Sequence, residues 1–281
     1  MHTDFTRGWY LAIRESGDSR FVINAFSFGI SAFLIVGIRR SFQQPREVSV
    51  SGTESANPLA AIGSAVTYAR GDRAIASFLL SKSTFGVGTG VVLMLAIFGR
   101  QLLPNGDIGI GILYAARGLG ALAGPFIARS IFGTTTRGLI IGIGSSLAAV
   151  AVGYGLLPLA PTIWFAAAAV LTAHLGGGAQ WMLSSYGLQQ AAPDAVRGRL
   201  FGFDYGLVTL TVGISTLIAG AIAQQIGPDI AVWAMIGVMA IAGLGWLRFS
   251  RSLWRGTANL SPAKATIGTH ADVRDHREPG Q

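Results

Sequence analysis

The sequence predicts an all-α, polytopic membrane protein with seven transmembrane helices. Three observations carry this reading. Of 281 residues, 51% are apolar and 12% charged, and mean hydropathy is +0.52; a soluble domain carries about 25% charge. Several apolar runs reach the roughly 20 residues that cross a bilayer. Their flanks alternate between rich and poor in arginine, the asymmetry that orients membrane helices. The runs are too long and too uniformly apolar for barrel strands, so the backbone must satisfy itself in lipid as helix. Cysteine is absent, and the net charge of +8 is dispersed along the chain. Neither a disulfide framework nor a nucleic-acid surface is expected.

The elements follow in order. Residues 1–20 are mixed and polar and read as an extracytoplasmic segment. Residues 21–38 form a leading transmembrane helix. Residues 39–73 form a cytoplasmic linker that opens with Arg39-Arg40 and ends in an amphipathic surface helix. That helix is announced by Asn57-Pro58, a cap followed by a first-turn proline, and by Leu59, Ile62, Val66 and Ala69 at helical spacing. Residues 74–157 hold three spans, Ala74–Phe98, Ile108–Phe132 and Leu139–Leu157. Residues 158–248 hold three more, Ile163–Ala192, Leu200–Ile226 and Ile230–Leu247. Pro104-Asn105-Gly106, Pro158, Pro161, Pro193-Asp194 and Gly227-Pro228 punctuate them. Residues 249–281 read as a disordered cytoplasmic tail. With the amino end outside, Arg39, Arg40, Arg70, Arg73, Arg129, Arg137, Arg197, Arg199, Arg248, Arg251 and Arg255 all fall inside. Arg7, Arg14, Arg20 and Arg100 fall outside.

The two groups of three spans read as an inverted 3+3 repeat. Each opens on a span expected to be broken by glycine: Gly86, Gly88 and Gly90 in one, Gly176, Gly177 and Gly178 in the other. Glycine-broken helices at matching places in inverted repeats point to a transporter's binding site.

Polar side chains inside the spans are the candidates for chemistry. Arg117, with Tyr114 one turn earlier, is either a cation facing a cavity or one held by helix carbonyls or an acid. Burying it costs at least about 2.5 kcal/mol. Lys82 either lines the cavity or snorkels to the headgroups, with snorkelling slightly favoured. His174 is a packing residue with a hydrogen bond more often than a proton relay. Gln180 and Trp181 suit recognition of an amphipathic ligand, and Trp181 suits core equally. Asp204, placed just inside its span, is expected to bridge to Arg197, Arg199 or Arg129, a reading favoured over a proton carrier because the position is shallow. No metal-ligand spacing, nucleotide loop or nucleophile motif occurs, so enzyme, metal site and cofactor are not expected.

Four stretches resemble the carboxyl half of a major facilitator superfamily transporter, nearest to bacterial multidrug and enterobactin-exporter-like members. FVINAFSFGISAFLIVGIRR (Phe21–Arg40) is similar to that family's sixth helix. NPLAAIGSAVTYARGDRAIASFLL (Asn57–Leu80) is similar to its central surface helix and seventh helix, and AARGLGALAGP (Ala115–Pro125) to its eighth. AHLGGGAQWMLSSYGLQQAAPDAVRGRLFGFDYG (Ala173–Gly206) resembles its tenth helix, a PDxxRGR loop and the eleventh. The resemblance implies efflux of small amphipathic molecules from a bacterial inner membrane by proton antiport, with the proton as coupling ion. It implies gating roles for Gly124, Arg129, Gly133 and Arg137, and for Asp194, Arg197, Gly198 and Arg199. The first of these loops departs from the family pattern, because Ala128 stands where an acid is expected. The other half of such a transporter is expected before Met1 or on a partner chain, leaving this half inactive alone. A seven-helix receptor or sensor, or a subunit that pairs with another half-transporter, is the alternative.

Overall fold

The computed structural model describes residues 25–37, 58–103 and 106–255. The expected extracytoplasmic segment, Arg39-Arg40, the linker through Asn57, and the tail beyond Arg255 lie outside the described residues. The chain divides into two compact units, residues 1–55 and 56–281. In the first, α1 (Ala25–Val36) is a lone apolar helix, and Ser31 Oγ donates to Ser27 O within it. The leading span expected at 21–38 is described only over this shorter stretch.

The second unit is a helical bundle. Its order is α2 (Pro58–Gly71), α3 (Arg73–Gly86), a 3-10 turn (Thr89–Leu93), α4 (Met94–Leu102), α5 (Gly106–Phe132) and α6 (Thr136–Leu156). A second 3-10 turn (Leu157–Leu159), α7 (Ile163–Ala191), α8 (Asp194–Gln225), α9 (Pro228–Phe249) and α10 (Arg251–Trp254) follow. No strand occurs among the described residues. Five segments are long and apolar enough to cross a membrane: Arg73–Leu102, Asp107–Phe132, Thr136–Leu159, Val196–Gln225 and Pro228–Phe249. The chain is therefore an integral membrane protein of the multi-pass, helical kind. α7 is 29 residues long but is not one of those five; His174, Gln180 and its glycines lower the hydropathy of its central stretch.

Local chemistry sets the boundaries. Asp72 caps α3, its Oδ1 accepting from Ala74 N at 2.7 Å and Ile75 N at 3.1 Å. Thr135 and Thr162 cap α6 and α7 in the same manner, and each such cap stabilises a helix start by about 1 kcal/mol. α5 ends where Gly133 takes φ 65°, a conformation other residues adopt only with strain. Trp246 Nε1 donates to Ser77 O at 2.7 Å, tying the end of α9 to the start of α3.

α7 runs through the middle and packs on α3, α5 and α6. Its triple glycine corrects a sequence expectation: the helix is continuous through Gly176, Gly177 and Gly178. The glycines serve close approach. A Cβ on Gly176 would collide with Ser146 O of α6, one on Gly178 would lie 2.9 Å from Ala121 Cα of α5, and one on Gly177 would touch Phe85 of α3 at 3.4 Å. The loss of about 1 kcal/mol of helix propensity per glycine is offset by packing that only bare backbone permits, the usual logic of membrane helix contacts.

The other glycine group does interrupt a helix. α3 ends at Gly86, a 3-10 turn begins at Thr89, and α4 resumes at Met94. Ser215 of α8 stitches the interruption. Its Oγ accepts from Gly90 N at 2.9 Å and donates to Val87 O at 2.7 Å. The two glycine groups are thus unlike, one a true break and one a packing seam. A second correction concerns the tail. Arg251–Trp254 form α10, and Leu253 is buried. Ser250 Oγ donates to Trp246 O and Trp254 Nε1 donates to Leu247 O.

Candidate functional site

α3 carries Lys82 nine residues past Arg73, about 13 Å along the helix axis. α8 carries Asp204 ten residues past Asp194, about 15 Å along its own axis. The two side chains meet as an ion pair and hydrogen bond, and they are 2% and 1% exposed. Lys82 Nζ lies 5.1 Å from the Trp181 ring centroid and 6.0 Å from that of Phe201. Trp181 stands edge-on to Tyr205, centroids 5.8 Å apart. A cation, a carboxylate and three aromatic rings from α3, α7 and α8 thus share one place at membrane depth. Desolvated ions are costly unless paired, and cation–π contact adds to the pairing. Asp204 Oδ1 has no hydrogen-bond partner.

The helix register places further polar groups in this layer. Gly177 lies against Phe85 and Gly187 against Phe78. Between those contacts stand Ser81 and Lys82 on α3, and Gln180 and Ser184 on α7. The serines bond to their own helices, to Phe78 O at 2.7 Å and Trp181 O at 3.1 Å. Gln180 is completely buried, and neither its amide nitrogen nor its oxygen has a partner. An unpaired buried amide costs about 1–3 kcal/mol.

Two sequence expectations about charge are corrected here. Lys82 does not reach for the headgroups. Asp204 does not meet Arg129, Arg197 or Arg199; its partner is Lys82. The reason is that α8 starts at Asp194, earlier than the span expected from Leu200, so Asp204 lies deeper. Arg197 instead pairs with Asp194 one turn away and donates to Ala192 O at 3.1 Å.

A second polar cluster joins α5, α6 and α7. His174 Nε2 and Tyr154 Oη share a hydrogen bond of 2.7 Å, with the rings edge-on at 5.7 Å. Both residues are buried. Arg117 stacks over Tyr114 at 5.8 Å, and its Nε is buried without a partner. Its charge bears on both Tyr154 and His174. No described acid pairs with it. Gly120 brings α5 against this point, since a Cβ there would lie 2.9 Å from His174 Cβ.

The residues that resemblance marks for gating sit elsewhere. Gly124 packs against Leu175 and Ala179 of α7. Arg129 and Arg137 are exposed on either side of the α5–α6 turn, and Ala128 is buried in the core. Gly198 faces open space. None of these joins the Lys82–Asp204 layer. No group of three metal-ligating side chains occurs among the described residues. Phe201, Tyr205 and Tyr154 were not expected from sequence. Lys82 and Asp204 are opposite charges well inside their helices, a signal that makes a pair between them one of the candidates, because membrane interiors tolerate charge mostly in pairs. No family model, curated protein or solved structure matches the chain.

Proposed function

We propose that the bundle is the carboxyl-half wall of a secondary transporter of the major facilitator type, for small amphipathic molecules, with the proton as coupling ion. The observation that carries the reading is the buried Lys82–Asp204 pair between α3 and α8, flanked by Trp181 and Phe201, with Tyr205 edge-on to Trp181. An ion pair at this depth adds little stability that apolar residues would not supply. Its value lies in being opened. A substrate carrying an anionic group displaces Asp204 from Lys82, and the rings supply apolar walls for the rest of the ligand. The freed carboxylate, with Oδ1 already unpartnered, is then the proton acceptor. Proton and anion bind together in this scheme. The antiport that resemblance implies would instead require them to exclude each other, and the pH dependence of binding separates the two.

Exposed faces support a second bundle. α5 and α8 are the least buried of the membrane-length helices, at 22% and 17%. α8 presents Tyr205, Leu210 and Leu217 beside Gly206 and Gly213, around an open groove of about 600 Å³. Small residues facing nothing on a membrane helix are suited to close helix contact. A second bundle on this face, from the same or another chain, would cover this groove, which reaches the aromatic cluster at Tyr205. The seven-helix count, the inverted repeat and the amino-end-out orientation belong to this reading. The arginines at one end of the bundle support the orientation; the break at Gly86–Gly90 has no counterpart in α7 and supports a cavity wall without supporting the repeat.

The experiment is ligand binding to the purified chain, read by Trp181 fluorescence against a Trp181→Phe control. Dihydroxybenzoate, an aromatic anion, is expected to bind the parent and not the Lys82→Met/Asp204→Leu variant. Equal binding to both would overturn the reading. Proteoliposomes holding only this chain are expected to show no proton-coupled efflux, and efflux from them would refute the need for a second bundle.

A further inference from the structure

A pocket of about 660 Å³ opens where α3 begins and α9 ends, lined by Arg73, Arg248, Phe249, Arg251 and Arg255, with Gly245 at its edge. Arg73 is the first residue of one membrane-length segment and Phe249 the last of another. The pocket therefore lies where the bundle leaves the apolar slab. Four guanidinium groups converge there, and no described carboxylate pairs with any of them. Arg73 is already oriented: its Nε donates to Phe249 O at 2.9 Å, and its guanidinium lies over the Phe249 ring at 5.2 Å. Arg255 lies over the Trp254 ring at 5.2 Å. Like charges are held together by their scaffold here, an arrangement that favours an anion with several oxygens.

The face below the pocket is apolar. Ile241, Leu244, Gly245 and Arg248 share one stripe of α9. Ile241 and Leu244 are 72% and 68% exposed, and a Cβ added to Gly245 would meet nothing within 4 Å. Arginines above a bare apolar channel match the two ends of a lipid. We propose that this pocket binds the phosphate headgroup of an anionic glycerophospholipid, with one acyl chain along Ile241, Leu244 and Gly245. The arginines act as a group of charges near an anionic surface, each contributing about fivefold in affinity.

Native mass spectrometry of the full chain in detergent tests this, with phosphatidylglycerol, phosphatidylcholine or inorganic phosphate added. The parent is expected to retain phosphatidylglycerol over phosphatidylcholine. Arg248→Gln/Arg251→Gln/Arg255→Gln is expected to lose about a hundredfold in that retention. Arg129→Gln/Arg137→Gln, which removes charge at the α5–α6 turn, is expected to keep it. Gly245→Leu fills the channel without touching charge and is expected to weaken lipid retention severalfold. Loss on the Arg129/Arg137 variant equal to that on the triple variant would reduce the effect to general surface charge and overturn the proposal. So would displacement of the lipid by equimolar inorganic phosphate, or indifference to Gly245→Leu, either of which would mark a free-phosphate site.

Discussion

At the scale of single residues, three side chains carry more energetic cost than packing accounts for. Lys82→Met leaves Asp204 buried and alone, and is expected to lower stability by about 3–5 kcal/mol. The double variant Lys82→Met/Asp204→Leu should recover most of that, because apolar residues of similar volume often replace a buried ion pair without loss. Unfolding in mixed micelles measures both. Gln180→Leu removes two unpaired amide atoms and is expected to raise stability by about 1–2 kcal/mol. A fall would mean that the amide has a partner of its own. Tyr154→Phe strips His174 of its hydrogen bond and is expected to cost about 1–2 kcal/mol. This fits a packing role for His174. Lys82, Asp204, Gln180 and His174 were visible in sequence as polar groups inside apolar runs. The Lys82–Asp204 and Tyr154–His174 pairings were not, because they join residues 122 and 20 positions apart, and a single chain read alone carries no trace of which helices touch.

Elements follow a different division. Hydrophobic runs and their Pro, Asn and Gly punctuation marked the helical class and the order of the long helices in the second unit, since length and hydropathy decide them before packing does. Of the seven spans expected, five among the described residues are long and apolar enough to cross a membrane. Internal geometry was less legible. A Gly-Gly-Gly run reads as a break by propensity alone, yet in α7 tertiary approach to Ser146, Ala121 and Phe85 overrides propensity. At Gly86–Gly90 the break occurs because Ser215 of a distant helix satisfies the freed Gly90 N–H and Val87 carbonyl. Two substitutions separate packing glycines from open ones. Gly178→Leu must drive α5 and α7 apart and is expected to prevent assembly or cost more than about 3 kcal/mol. Gly206→Leu faces open space and is expected to change the bundle's stability by less than about 0.5 kcal/mol. Circular dichroism melts in the same detergent compare them. Gly206→Leu is also expected to block a second bundle on α8.

At the scale of the molecule, charge is distributed with a purpose that burial alone does not require. One end of the bundle carries exposed Arg73, Arg129, Arg137 and Arg248, while the opposite end holds Arg100 loosely beside Asp107 at 3.8 Å. Between them lies an apolar bundle with one buried ion pair among the described residues, placed where three helices meet. On the proposed function, this pair is opened by a ligand and a proton. The most direct test is the affinity of the purified chain for dihydroxybenzoate, followed from neutral to mildly acidic pH, in the parent and in Lys82→Met/Asp204→Leu. Affinity is expected to rise on acidification in the parent, and binding is expected to vanish in the double variant while it remains folded. Binding that is unchanged by the double substitution, or that shows no dependence on pH in the parent, would contradict the proposed function.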